Sequence, residues 1–122
     1  MISNQILQST IEGIKNISRV ELCVTDVEGK VLVTTFPEVE ISQNDIVTFA
    51  QSQADSQTMK NYQFFKVYDE HQLEYILIAN GGSEDVYMVG KIAAFQIQNL
   101  LVAYKERFDK DNFIKNLLLD NL

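Results

Sequence analysis

The chain has 122 residues, 46% of them hydrophobic and 22% charged, with one proline and five glycines. That length and composition support one domain with its own core and exclude a disordered tract. Ten basic against seventeen acidic residues leave a net charge of −7, which argues against a nucleic-acid surface and against attraction to anionic membranes.

Cys23 is the only cysteine, so one chain can form neither a disulfide nor a cysteine zinc site. It lies inside an apolar strand, where a buried structural thiol is expected. No run approaches the roughly 18 consecutive apolar residues of a membrane helix, and no signal-peptide pattern opens the chain. Together these favour the cytoplasm.

Ile2 to Ile17 reads as a helix with an apolar stripe of Ile6, Leu7, Ile11, Ile14 and Ile17. Val20 to Asp26 reads as a strand. Asp26-Val27-Glu28-Gly29 is a turn with glycine last, and Lys30 to Thr35 is the return strand of a hairpin. Phe36-Pro37-Glu38 ends it, because proline cannot donate to the ladder. Ser42 is the expected N-cap of a short helix with Asp45 in its first turn and Ile46, Val47, Phe49 and Ala50 on its apolar face. Gln51 to Thr58 is polar and reads as the helix end and a loop. Asn61 to Tyr68 is a strand, Asp69 to Gln72 a turn, and Leu73 to Asn80 a further strand rich in β-branched and aromatic residues.

Gly81-Gly82 breaks that strand. Ser83 is the expected N-cap of a long helix, with Glu84 and Asp85 in the first turn. Val86, Val89, Ala93, Ile97, Leu100, Tyr104 and Phe108 recur at helical spacing. A second stripe of Met88, Ile92, Phe95 and Val102, with Asn99 at the missing step, lies nearly opposite. A helix apolar on two faces needs two partners. The second partner is either part of the same monomer or a second copy of the chain, which makes this stripe a candidate dimer seam. Near Asp109 to Asp111 the pattern falters, and Asn112 to Leu122 restarts it. Residues 1–110 are therefore expected as one domain and 111–122 as the start of a following, truncated helical segment.

The expected architecture is α+β, an antiparallel sheet of about four strands flanked by helices, ending in a long helix. Several strands are apolar on both sides, so the sheet must be covered on both faces. The terminal helices suit one face and the Ser42 helix the other.

No catalytic, metal or cofactor motif is present, and no enzyme is expected. His71, the only histidine, falls in a polar turn. The best candidate site is Asn80-Gly81-Gly82-Ser83. Free N–H groups at a helix N-terminus receive anions, and glycines let a ligand approach the backbone. The same glycines also serve a sharp strand-to-helix turn, with Glu84 and Asp85 opposing an anion. Lys66, Lys91, Tyr75 and Tyr87 are nearby candidates for ligand contacts.

Three stretches carry a family resemblance: the opening helix feeding VELCVTDVEGKVLVTT, then ILIANGGSEDVYMVGKIAAFQIQNLL, then FDKDNFIKNLLLDNL. Their order and spacing resemble the N-terminal sensor of the carbohydrate-diacid transcriptional regulators, the sugar-diacid recognition domain. The Asp-x-x-Gly turn and the Val86-to-Gly90 step are part of the likeness. The resemblance implies a cytoplasmic PAS- or GAF-like sensor of a small hydroxy-carboxylate or sugar diacid. It also implies that the chain is a fragment of a regulator whose DNA-binding helix-turn-helix lies in a domain absent from it. Pro37 to Lys60 matches the family little. The only arginines are Arg19 and Arg107, few for bidentate contacts to a diacid.

Two functions are therefore expected in competition. In one, an acid binds between the sheet and the Ser42 helix, near Asn80–Ser83, and shifts the long helix. In the other, Tyr62, Phe64, Phe65 and Tyr68 fill that space, and the chain is a ligand-free dimerisation module.

Overall fold

The computed structural model describes residues 2–120, with side chains described through Arg107. In chain order it has helix α1 (Asn4–Ser18), strands β1 (Glu21–Thr25) and β2 (Val31–Thr34), and helix α2 (Gln43–Gln51). Strands β3 (Ser56–Met59), β4 (Tyr62–Asp69) and β5 (Gln72–Asn80) follow, then helix α3 (Val86–Asp120). The fold is α+β. Its sheet is wholly antiparallel, five strands in the order β2-β1-β5-β4-β3.

The sequence expectation of four strands missed β3. Ser56 to Met59 carries no apolar period because it is an edge strand, exposed at Gln57 and Thr58. Polar edges protect a sheet from pairing with other chains. Lys60 and Asn61, both with positive φ (50° and 70°), turn the chain from β3 into β4. At the other hairpin the Asp26 carboxylate accepts from the backbone N–H of Glu28 and of Lys30, both at 2.9 Å. Gly29 there has φ of 85°, a conformation glycine adopts without steric cost.

Two apolar clusters lie on opposite faces of the sheet. Leu22, Val24, Phe65, Val67, Tyr75, Leu77 and Ala79 face α1 and α3, and pack on Leu7, Ile11, Ala93, Ile97 and Leu101. Cys23, Phe64, Ile76 and Ile78 face α2, and pack on Ile46 and Phe49. The terminal helices thus share one face and α2 takes the other, as the two-sided strands require. Strand alternation alone would put Leu73 on the same side as Tyr75 and Leu77, but it packs with the α2 cluster. The register shifts between Val67 and Tyr68, so that Tyr68 opposes Leu73 and Glu74 is the extra residue.

Three helix details differ from the sequence reading. Ile6 and Ile17 of α1 are exposed, and the buried stripe narrows to Leu7 and Ile11. Tyr104 of α3 is also exposed, while Leu101 is buried. Helix α3 starts later than expected. The Asp85 carbonyl accepts the first helical bond, from Val89 N–H at 2.9 Å, so Asp85 occupies the N-cap position. Ser83 Oγ accepts from Asp85 N–H at 3.3 Å, within the preceding turn. Neither Glu84 nor Asp85 falls inside the helix.

The helix runs through Asp109–Asp111 without a break to Asp120, and residues 121 and 122 of the expected second segment lie outside the described residues. Its Val86–Arg107 stretch, 22 residues at mean hydropathy 1.3, is long and apolar enough to cross a membrane by length and composition. That apolarity is divided between a face buried on the sheet and an outer stripe, which is why no unbroken run shows in the sequence.

Helix α3 approaches the sheet most closely at Gly90. A Cβ there would overlap the Phe65 ring and lie 3.1 Å from Ala79 Cβ. This explains a glycine in the middle of a helix, where it costs about 1 kcal/mol relative to alanine.

Cys23 is fully buried, and burial pushes its thiol up to about 11 from 9.0, against a smaller opposing effect of a hydrogen bond with Thr34. The unfolded chain therefore releases this proton first as pH rises. The stabilisation is complete below pH 9 and is lost between pH 9 and 11, by about 2 to 3 kcal/mol. Denaturant melts of wild type and Cys23→Ala at pH 7 and pH 10.5 check this: the gap between the two should close at high pH. A constant gap would contradict it.

Candidate functional site

The centre of the space expected to hold a ligand, between the sheet and α2, is filled by side chains, and an open recess of about 420 Å³ remains at its edge among Val47, Ala50, Gln51 and Leu73. Phe49 and Phe64 pack with ring centroids 5.6 Å apart, and Phe36 stacks on Tyr62 at 5.9 Å. Ile46, Ile76 and Ile78 complete a close-packed layer. Of the four aromatic residues expected to fill it, Phe64 and Tyr62 do so. Phe65 points to the other face, towards α3.

The Asn80–Ser83 turn is open to solvent. Gly81, Gly82 and Ser83 are exposed, and Asn80 pairs with Glu21 in the ladder. Neither glycine has a positive φ, and a Cβ on Gly82 would meet open space.

Three of the predicted ligand residues do converge elsewhere. Lys66, Tyr87 and Lys91 line a cleft of about 300 Å³ between the β3–β4 edge and α3. Tyr87 packs on Phe65 at 5.4 Å between centroids, and the Lys91 ammonium lies 5.8 Å from the Tyr87 ring centroid. Phe95 and Gln98 close the helix side, while Asp55 and Ser56 form the strand-side rim. That rim left no mark in the sequence, since the Gln51–Thr58 stretch shows no period. Asp55 opposes an anion there, although its carboxylate is engaged with the Tyr68 hydroxyl. Burial first, then the Asp55 charge and hydrogen bond, hold the Tyr68 phenol above its usual range.

Lys66 lines the cleft but its ammonium is used on the α2 side. It donates to the Ser52 carbonyl at the C-cap of α2 and lies 5.2 Å from the Phe49 ring centroid. A cation at a helix C-terminus is electrostatically favourable. Lys66 is therefore mainly a strut between β4 and α2.

Tyr75 is a correction. It is buried in the α1–α3 face of the core and does not line the cleft. Its oxygen approaches the Ile2 backbone but has no partner with hydrogen-bond geometry among the described residues. Burial is the main cause of its raised phenol pKa.

The predicted seam residues lie together on the outer face of α3. Met88 is 61% exposed, Ile92 56%, Phe95 64% and Val102 47%. Asn99 among them is exposed too. Phe95 belongs to both features, forming part of the cleft wall and the middle of the stripe. No group of three or more His, Cys, Asp or Glu among the described residues could hold a metal ion.

No protein-family model and no curated protein sequence matches this chain.

The Tyr75 geometry has a measurable consequence. Tyr75→Phe removes a buried hydroxyl that lacks a partner, and is expected to leave stability unchanged or raise it by up to about 1 kcal/mol. A loss of more than about 1 kcal/mol in a denaturant melt would show that the hydroxyl is bonded in solution.

Proposed function

We propose that the chain is a self-associating regulatory module whose output element is α3. The observation that carries this reading is the stripe of Met88, Ile92, Phe95 and Val102, each about half exposed or more. Pairing two such stripes removes on the order of 400 Å² of apolar surface per protomer. Across the pair this is about 800 Å², close to the apolar share of a standard interface of about 1,600 Å². The aromatic layer of Phe49 and Phe64 under α2 also suits a module that works through its surface. The regulator context, with a DNA-binding part in another domain and a cytoplasmic setting, rests on the sequence resemblance.

Phe95→Glu and Ile92→Glu test the seam by light scattering. Ile92 is the cleaner probe, since it does not line the cleft. Each variant is expected to weaken self-association at least a hundredfold, equivalent to about 3 kcal/mol, with the circular dichroism of the fold retained. An unchanged mass with the fold intact would remove this face from the interface.

A second reading, the ligand sensor, is favoured by the meeting of Lys66, Tyr87 and Lys91 in one cleft. Its volume is at the lower end of small-ligand sites, and Lys91 and Tyr87 offer a cation and a hydroxyl to a small carboxylate. Thermal melts against hydroxy-acids and sugar diacids test it. A true ligand at a hundredfold excess over its Kd adds about 2.7 kcal/mol of stability, and Lys91→Ala abolishes the shift. A flat response across the panel would sink the sensor reading for these acids.

A further inference from the structure

We propose that α3 pairs in parallel and in register with α3 of a second copy, with Asn99 facing the partner's Asn99. This inference rests on the self-association reading above and specifies its geometry. Met88, Ile92, Phe95, Asn99 and Val102 are spaced by four, three, four and three residues. That is the alternation of d and a positions in a two-stranded coiled coil, with Ile92 and Asn99 at a. All five are exposed, on the side of α3 away from the sheet. The sheet therefore leaves the seam clear for a second helix.

Asn99 decides the direction. It is the one polar residue in the stripe. In a parallel, in-register pair its amide meets an identical amide across the axis, and each satisfies the other. A single asparagine at an a position sets register and two-stranded state in this way, at some cost in stability. In an antiparallel pair centred on Phe95, Asn99 would instead lie against the region of Lys91 and Ile92. The Lys91 ammonium offers donors only, so the Asn99 amide N–H groups would then be buried without an acceptor.

Charge selects a second copy as the occupant. The chain carries −7 overall, so two copies repel across most orientations. From Val86 to Lys105 there is no aspartate or glutamate, and the only charges are Lys91 and Lys105. Lys105 is paired with Glu70 at 2.6 Å. The residues beside the seam are mainly neutral: Gln96, Gln98 and Ala103. This face is where two acidic chains meet with least repulsion. Beyond Leu101 every described residue from Val102 to Arg107 is exposed. A helix without packing is marginal in water, and a parallel partner supports that part along its length.

Oxidative cross-linking of two single variants, Met88→Cys and Val102→Cys, tests the geometry. The native Cys23 is buried and serves as a silent background. In the parallel register each variant cross-links with itself, so most of each sample becomes a covalent dimer while wild type does not. Cross-linking only when the two variants are mixed would establish an antiparallel pair and overturn the proposal. A dimeric mass with no cross-link in either variant would overturn this seam while leaving self-association standing. A monomeric mass would overturn both. A monomer that co-sediments with phosphatidylcholine vesicles would assign the stripe to a membrane and overturn the proposal. As a second probe, Asn99→Val is expected to tighten association and broaden a single dimeric mass into several species. An unchanged dimer with unchanged cross-links in the Asn99→Val background would remove Asn99 as the determinant of register.

Discussion

Strand β5 runs through the middle of the sheet with apolar side chains on both faces. Tyr75, Leu77 and Ala79 point to one side, and Ile76 and Ile78 to the other. All five are essentially buried. Each exposed face of such a strand would leave large aliphatic groups in water, at about 25 cal/mol for each Å². The fold therefore needs covers on both sides. Helix α2 is short and suffices for the Ile76 and Ile78 side because Phe49 and Phe64 supply bulk. The opposite side is longer and takes two helices, α1 and α3. The placement of every helix follows from this two-sided strand.

Helix α3 then carries a load that its composition alone does not reveal. Its inner face, Val86, Ala93, Ile97 and Leu101, completes the core. Gly90 allows the helix to lie directly on Phe65 and Ala79. The outer face repeats large apolar residues that the fold does not use. Maintaining such residues on a surface costs solubility, and patches of this kind commonly mark contact sites. The cleft and the outer stripe meet at Phe95. An occupant of the cleft and a partner on the stripe would both bear on that ring, so binding at one would be felt at the other if it favours one ring position.

The strands, the hairpin at Asp26–Gly29 and the long helix were legible because each has a clear period or turn chemistry. The outer apolar stripe of α3 was legible too, since two stripes on one helix show directly in the spacing. What escaped the sequence was of three kinds. Strand β3 is an edge with polar residues, and its pairing to β4 comes from the ladder rather than from a pattern. The start of α3 moved by two residues because Ser83, Glu84 and Asp85 suit a turn as well as a cap. The cleft was half legible: Lys66, Tyr87 and Lys91 were chosen for chemistry, but their meeting depends on how α3 crosses β4. Tyr75 was misread because alternation along β5 placed it on a face without saying that α1 and α3 seal that face completely.

The close seating of α3 at Gly90 has a mechanical side. Past Leu101 the helix continues to Asp120, about 28 Å of rod at 1.5 Å per residue. The packed stretch of α3 from Val86 to Leu101, seated closest to the sheet at Gly90, ends where that rod begins. A tilt of about 10° there would carry the far end sideways by about 5 Å, nearly one helical pitch. A reorientation of the packed stretch, such as a change in ring packing at Phe65 would produce, is thus carried outward along the arm to its far end.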